Sequence, residues 1–149
     1  MERGRSLVLR RGPYVIAGGL EEKVEGAQPF TLKGKFIPLF DANLPVISEY
    51  SVTPGARAVL VDVDAMPAVS VVAAACRNST PKITTGSIAF SVDGIDNTPG
   101  VVCVKIPANP KSVTIDGKDV ADDARSFADG VLKIKFTNRV EPKQIAVAW

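Results

Sequence analysis

The chain has 149 residues, 46% of them apolar and 23% charged, which is ordinary globular usage, so disorder is not the expectation. Its formal net charge of +2 gives no reason to expect nucleic acid or an anionic membrane as partner. It contains no histidine, which removes the commonest general base, the histidine-activated nucleophiles and the usual zinc and copper sites.

Taken in chain order, the residues alternate. SLVLR (6–10) and PYVIAG (13–18) form the first extended pair, with Arg3, Arg5, Arg10 and Arg11 as a basic front that reads as solvated edge charge. The same arginines interrupt the short apolar run, so the segment does not read as a signal peptide. Gly18-Gly19 marks a bend or bulge. In 30–37, Phe30, Leu32, Gly34 and Phe36 share one face, and Thr31, Lys33 and Lys35 share the other. Residues 46–52 and 57–63 flank the turn signal Pro54-Gly55. The run 69–76 lacks alternation, but its β-branched start favours a covered strand over a helical turn. At eight residues it is far shorter than the roughly 20 needed to span a bilayer as a helix.

Further strands are expected at 82–85, 87–92, 101–106, 112–116, 131–136 and 144–149. Asp93-Gly94, Asp116-Gly117 and Asp129-Gly130 punctuate them, as tight hairpins with positive φ require. The one candidate helix, Asp119–Phe127, carries only Val120 and Phe127 as apolar residues larger than alanine and is too polar to count on. About ten short strands at regular spacing predict an all-β, antiparallel two-sheet sandwich, immunoglobulin-like or jelly-roll-like. No repeat or low-complexity linker interrupts 1–149, which reads as a single domain.

Candidate chemistry is sparse. Asp62 with Asp64 and Asp122 with Asp123 are the carboxylate pairs a small histidine-free hydrolase would use, but Asp beside a turn is more often a turn former. No catalytic residue is assigned. Asp93, Asp96 and Asn97 offer hard oxygen ligands in one loop and are the candidate Ca2+ site, with Asp41 and Asn43 as a second. Neither loop has EF-hand spacing, and a structural turn is the first reading of both. Cys76 and Cys103 lie in apolar runs and read as buried thiols, a disulfide between them being the alternative. Asn78-Ser79-Thr80 has the form of a glycosylation acceptor and reads as a polar loop. Most rings fall on apolar faces. Tyr14, Phe40, Tyr50 and Trp149 are the candidates for a ligand-binding ring, and Trp149 is equally a core anchor.

Three stretches carry a family likeness: LVLRRGPYVIAGGL, then FTLKGKFIPLFDANLPVISEYSVTPGARAVLVDVD, then VKIPANPKSVTIDGKDV with ADGVLKIKF and IAVAW. Together they resemble the C-terminal accessory β-sandwich domains of bacterial polysaccharide-degrading enzymes. The resemblance implies a non-catalytic role: support of a catalytic domain in a parent enzyme, or a hold on polysaccharide or oligosaccharide, in an extracellular or periplasmic setting. The alternative is a protein–protein interaction or spacer domain of adhesin or immunoglobulin-like type.

Overall fold

The alternating runs become strands. The computed structural model describes residues 6–20 and 25–149, so the front arginines Arg3 and Arg5 lie outside the described residues. The fold gathers into two compact units, Met1–Met66 and Pro67–Trp149.

The first unit is one antiparallel sheet. Its strands are β1 (Ser6–Arg11), β2 (Tyr14–Gly19), β3 (Phe30–Pro38), β4 (Ile47–Val52) and β5 (Arg57–Asp62), in the order β1-β2-β5-β3-β4. β3 serves two partners. Its first half, Phe30–Lys33, pairs with β4, whereas Phe36–Pro38 pair with β5. Between the halves the register slips, because two residues, Gly34 and Lys35, oppose one, Ser48. Gly34 sits in this bulge at φ 147°, a conformation that L side chains rarely adopt. The resulting bend carries β4 toward β2, although β4 is bonded only to β3. Val15, Ala17, Phe36, Val52, Ala58 and Leu60, drawn from four strands, bury together as one cluster.

The end of this unit is pinned by backbone. The Gly19 N–H donates to the Ala56 carbonyl at 3.0 Å, and the Gly55 N–H donates to the Gly19 carbonyl at 2.9 Å. The approach is so close that a Cβ at Gly19 would stand 2.3 Å from the Thr53 carbonyl oxygen.

The second unit is the sandwich that the alternation predicts. Its strands are β6 (Ser70–Ala74), β7 (Arg77–Asn78), β8 (Lys82–Thr84), β9 (Ser87–Asp93), β10 (Pro99–Lys105), β11 (Ser112–Ile115), β12 (Lys118–Asp119), β13 (Arg125–Ala128), β14 (Val131–Thr137) and β15 (Lys143–Ala148). One sheet runs β13-β14-β10-β6. The other runs β12-β11-β15-β9-β7, with β8 also on β9. Ile88, Phe90, Val92, Val113, Ile145 and Val147 face Val102, Val104, Leu132 and Ile134 in one buried cluster. All pairings between the named strands are antiparallel, the isolated bridge Gly19–Pro54 being parallel, and the described residues form an all-β fold without a closed barrel.

Two Asp-Gly pairs turn as expected. Asp116 (φ 51°) with Gly117 (φ 75°) joins β11 to β12, and Asp129 (φ 52°) with Gly130 (φ 78°) joins β13 to β14. Asp93-Gly94 does not form a hairpin. Asp93 ends β9, and the Gly94 N–H donates to the Arg139 carbonyl at 2.8 Å. The polar stretch Asp119–Phe127 is no α-helix: it holds a short 3-10 turn at Asp122–Ala124, and β13 follows at once.

Asn138 is the buried polar side chain among the described residues. Its Nδ2 donates to the Ala75 carbonyl (3.3 Å), the Thr98 Oγ1 (3.2 Å) and the Pro99 carbonyl (3.1 Å). Its Oδ1 has no hydrogen-bond partner and lies over Gly94 and Gly100, where added Cβ atoms would meet it at 2.9 and 2.8 Å.

Candidate functional site

A cleft of about 470 Å³ opens in the first unit. It is lined by Pro38, Phe40, Asp41, Ala42, Tyr50 and the β5 residues Arg57–Leu60. That size lies within the range of small-ligand sites.

Its rim follows from the local sequence. After Pro38 ends β3, Leu39 still donates to the Val59 carbonyl at 2.9 Å, and then the chain leaves β5. Asp41 caps the departure: its Oδ1 accepts the Asn43 N–H at 2.8 Å, and its carbonyl accepts the Leu44 N–H at 3.0 Å. Leu44 takes a positive φ of 44° and is buried, so its side chain anchors the loop. A loop held this way has one large apolar side chain left outside. Phe40 is 82% exposed. Tyr50, in mid-β4, is half-buried against the unit's core and turns part of its surface to the cleft. The bend at Gly34 is what sets β4, and with it Tyr50, opposite the start of β5.

The cleft therefore offers two aromatic surfaces, the Asp41 carboxylate and the Arg57 guanidinium. Asp41 is engaged by Asn43 through one oxygen. Arg57, exposed at the first position of β5, makes no ion pair or side-chain hydrogen bond among the described residues. Stacking surfaces combined with hydrogen-bonding charged groups suit a sugar ring, which has an apolar C–H face and polar edges.

Of the four rings singled out in sequence, the structure brings Phe40 and Tyr50 together and leaves the others elsewhere. Tyr14 is 48% exposed on β2, opposite Arg11 and Val61, and does not line the cleft. Trp149 packs against the sandwich core, and its N–H donates to the Gly86 carbonyl at 2.9 Å, so it is a core anchor. Arg57 was missed by sequence reasoning. An arginine opening a strand after a Pro-Gly turn carries no signal beyond edge charge.

The loop oxygens have structural partners. The Asp93 carboxylate pairs with Arg77, and the Asp96 Oδ1 accepts the Val140 N–H at 2.8 Å. Asn97, at φ 61°, donates its N–H to the Asn138 carbonyl at 3.1 Å. Among the described residues no three Cys, Asp or Glu converge as metal ligands. Three of the paired carboxylates, Asp62, Asp64 and Asp122, are likewise engaged. Asp62 accepts Arg10 at 2.8 Å and the Asp64 N–H at 3.1 Å, and Asp64 lies 3.9 Å from Lys35. Asp122 holds Arg125 at 2.7 Å. Neither these three nor Asp123 lines the cleft.

Cys76 and Cys103 are not joined by a disulfide. Burial pushes both up to about 11; the Asp93 charge adds to the rise at Cys76, and Lys133 partly opposes it at Cys103. Both thiols therefore stay protonated and poorly nucleophilic at neutral pH.

No known protein family, no curated protein and no solved structure matches this chain, so the reading of the cleft rests on its own geometry.

Proposed function

We propose that this chain is a non-catalytic, carbohydrate-binding accessory module of a polysaccharide-degrading enzyme. The observation that carries the reading is the meeting of Phe40 and Tyr50, ten positions apart in sequence, on one cleft with Asp41 and Arg57. A pinned loop that leaves a phenylalanine in solvent is hard to account for by packing alone, and a ring in that position suits stacking on a glycan. Calorimetry and affinity electrophoresis against a polysaccharide panel test it. Binding should appear for at least one glycan, and Phe40→Ala should weaken it about tenfold, equivalent to about 1.4 kcal/mol. Silence across the panel removes the proposal.

A second reading, packing support of a catalytic domain, is favoured by one other feature. Leu7, Leu9, Tyr14 and Ile16 stand exposed along one face of the β1–β2 hairpin. Such a strip suits the apolar flank of a neighbouring enzyme domain. Co-purification with a polysaccharide-degrading catalytic domain, abolished by Leu7→Glu with Leu9→Glu, is the expected result. Retention in that double variant counts against it.

A further inference from the structure

We infer that the cleft selects an anionic sugar unit, whose carboxylate or sulfate takes the Arg57 guanidinium; the inference rests on the glycan-binding reading of the same site.

The argument starts from charge. Arg57 is a permanent cation with five N–H donors in a planar fork, and that fork matches the two oxygens of a carboxylate or sulfate. Cation–carboxylate pairs among the described residues join Arg10 with Asp62, Lys35 with Asp64, Arg77 with Asp93, and Arg125 with Asp122. Arg57 takes part in none of them, although it shares the cleft with Asp41. The two opposite charges line one cavity without pairing, and Asp41 is instead held by the backbone of Asn43. A ligand is therefore met by a free cationic fork, and apart from it by a carboxylate that can accept hydroxyl protons. A uronic acid carries both complements on one ring, and so does a sulfated sugar. The C–H face of such a ring can lie on Phe40 or Tyr50.

The same geometry argues against a purely neutral ligand. Sugar hydroxyls can accept from a guanidinium, but they use its donors singly and leave its charge without a partner. Charge-assisted bidentate bonds are roughly twice as strong as neutral ones.

Calorimetry with matched probes tests this. Oligogalacturonate is compared with its methyl ester, and a sulfated galactan oligosaccharide with its desulfated form. The expected result is binding of one acidic probe at least tenfold tighter than its neutral counterpart, weakening as salt is raised. Arg57→Gln should abolish that preference, Arg57→Lys should keep part of it, and Arg11→Gln should leave it intact. Arg11 is exposed on β1 and does not line the cleft. Which pair shows the preference tells carboxylate from sulfate. Equal binding of acidic and neutral probes overturns the inference and leaves glycan binding standing. A preference that survives Arg57→Gln, or that falls equally in Arg11→Gln, also overturns it, because the charge is then read elsewhere or diffusely. No binding of any acidic or neutral glycan overturns both readings. Circular dichroism of each variant separates lost binding from lost fold.

Discussion

The ring of Phe36 lies so close over Gly34 that a Cβ at position 34 would stand 2.9 Å from it. Phe36 is fully buried and cannot move aside without opening the core of the first unit. One glycine thus holds the bend in β3 that places Tyr50 on the cleft.

Gly34→Ala should therefore damage site and stability together. Strain of a side chain in that backbone region is of order 1–3 kcal/mol. Chemical denaturation should show a loss in that range, and glycan titration should show weaker binding. An unchanged midpoint with unchanged binding would mean that the bend does not depend on Gly34.

Phe40→Ala should separate the two effects. The ring is 82% exposed, so its removal should change stability by less than about 0.5 kcal/mol while reducing binding. Tyr50→Ala should lower both, because Tyr50 also packs against the buried cluster. A Phe40→Ala variant that unfolds early would contradict its position outside the core.

Asn138→Leu should destabilise the second unit by about 1–3 kcal/mol, since the Ala75 and Pro99 carbonyls would lose their donor inside the protein. Asn138→Asp sharpens the test through pH. Those carbonyls only accept, so the new carboxyl should be held protonated and its folded pKa raised above the usual carboxylate value of about 3.9. Its stability should then be greatest at low pH and fall as pH rises through the raised folded value. Thermal melts of Asn138→Asp between pH 4 and 8, referred to the parent chain, give the sign.

The two thiols set a limit on the alkaline side. Each is raised from 9.0 to about 11, so between these values the unfolded chain ionises and the folded chain does not. Stability should be indifferent to the thiols below pH 9 and should decline as pH climbs from 9 toward 11. Cys103→Ala should flatten part of that decline, read as the pH slope of the denaturation midpoint rather than its absolute value. A slope identical to the parent's would rule the thiol out as its source.

Much of the fold was legible because it is local. Period-two runs such as 87–92 and 131–136 became β9 and β14, since one face of each had to be buried. Asp116-Gly117 and Asp129-Gly130 turned as their φ preferences require. β13 escaped because Arg125–Ala128 has one large apolar residue; its one clue was the Asp-Gly turn behind it, which needs a strand on both sides. The candidate site was legible only as separate rings. Phe40 and Tyr50 could be named, but their meeting depends on strand order and on the bulge at Gly34, and neither is written in either residue's neighbourhood. The same non-local information places Trp149 on the sandwich core and Tyr14 away from the cleft.

β15 lies in the middle of its sheet, bonded to β9 on one side and β11 on the other. On the ribosome, then, residues 87–115 must wait for 143–148 to emerge before that sheet can close. Antiparallel partners this far apart in sequence fold slowly. Until then β9 and β11 expose the edges that β15 will cover, and a nascent chain in that interval is open to aggregation.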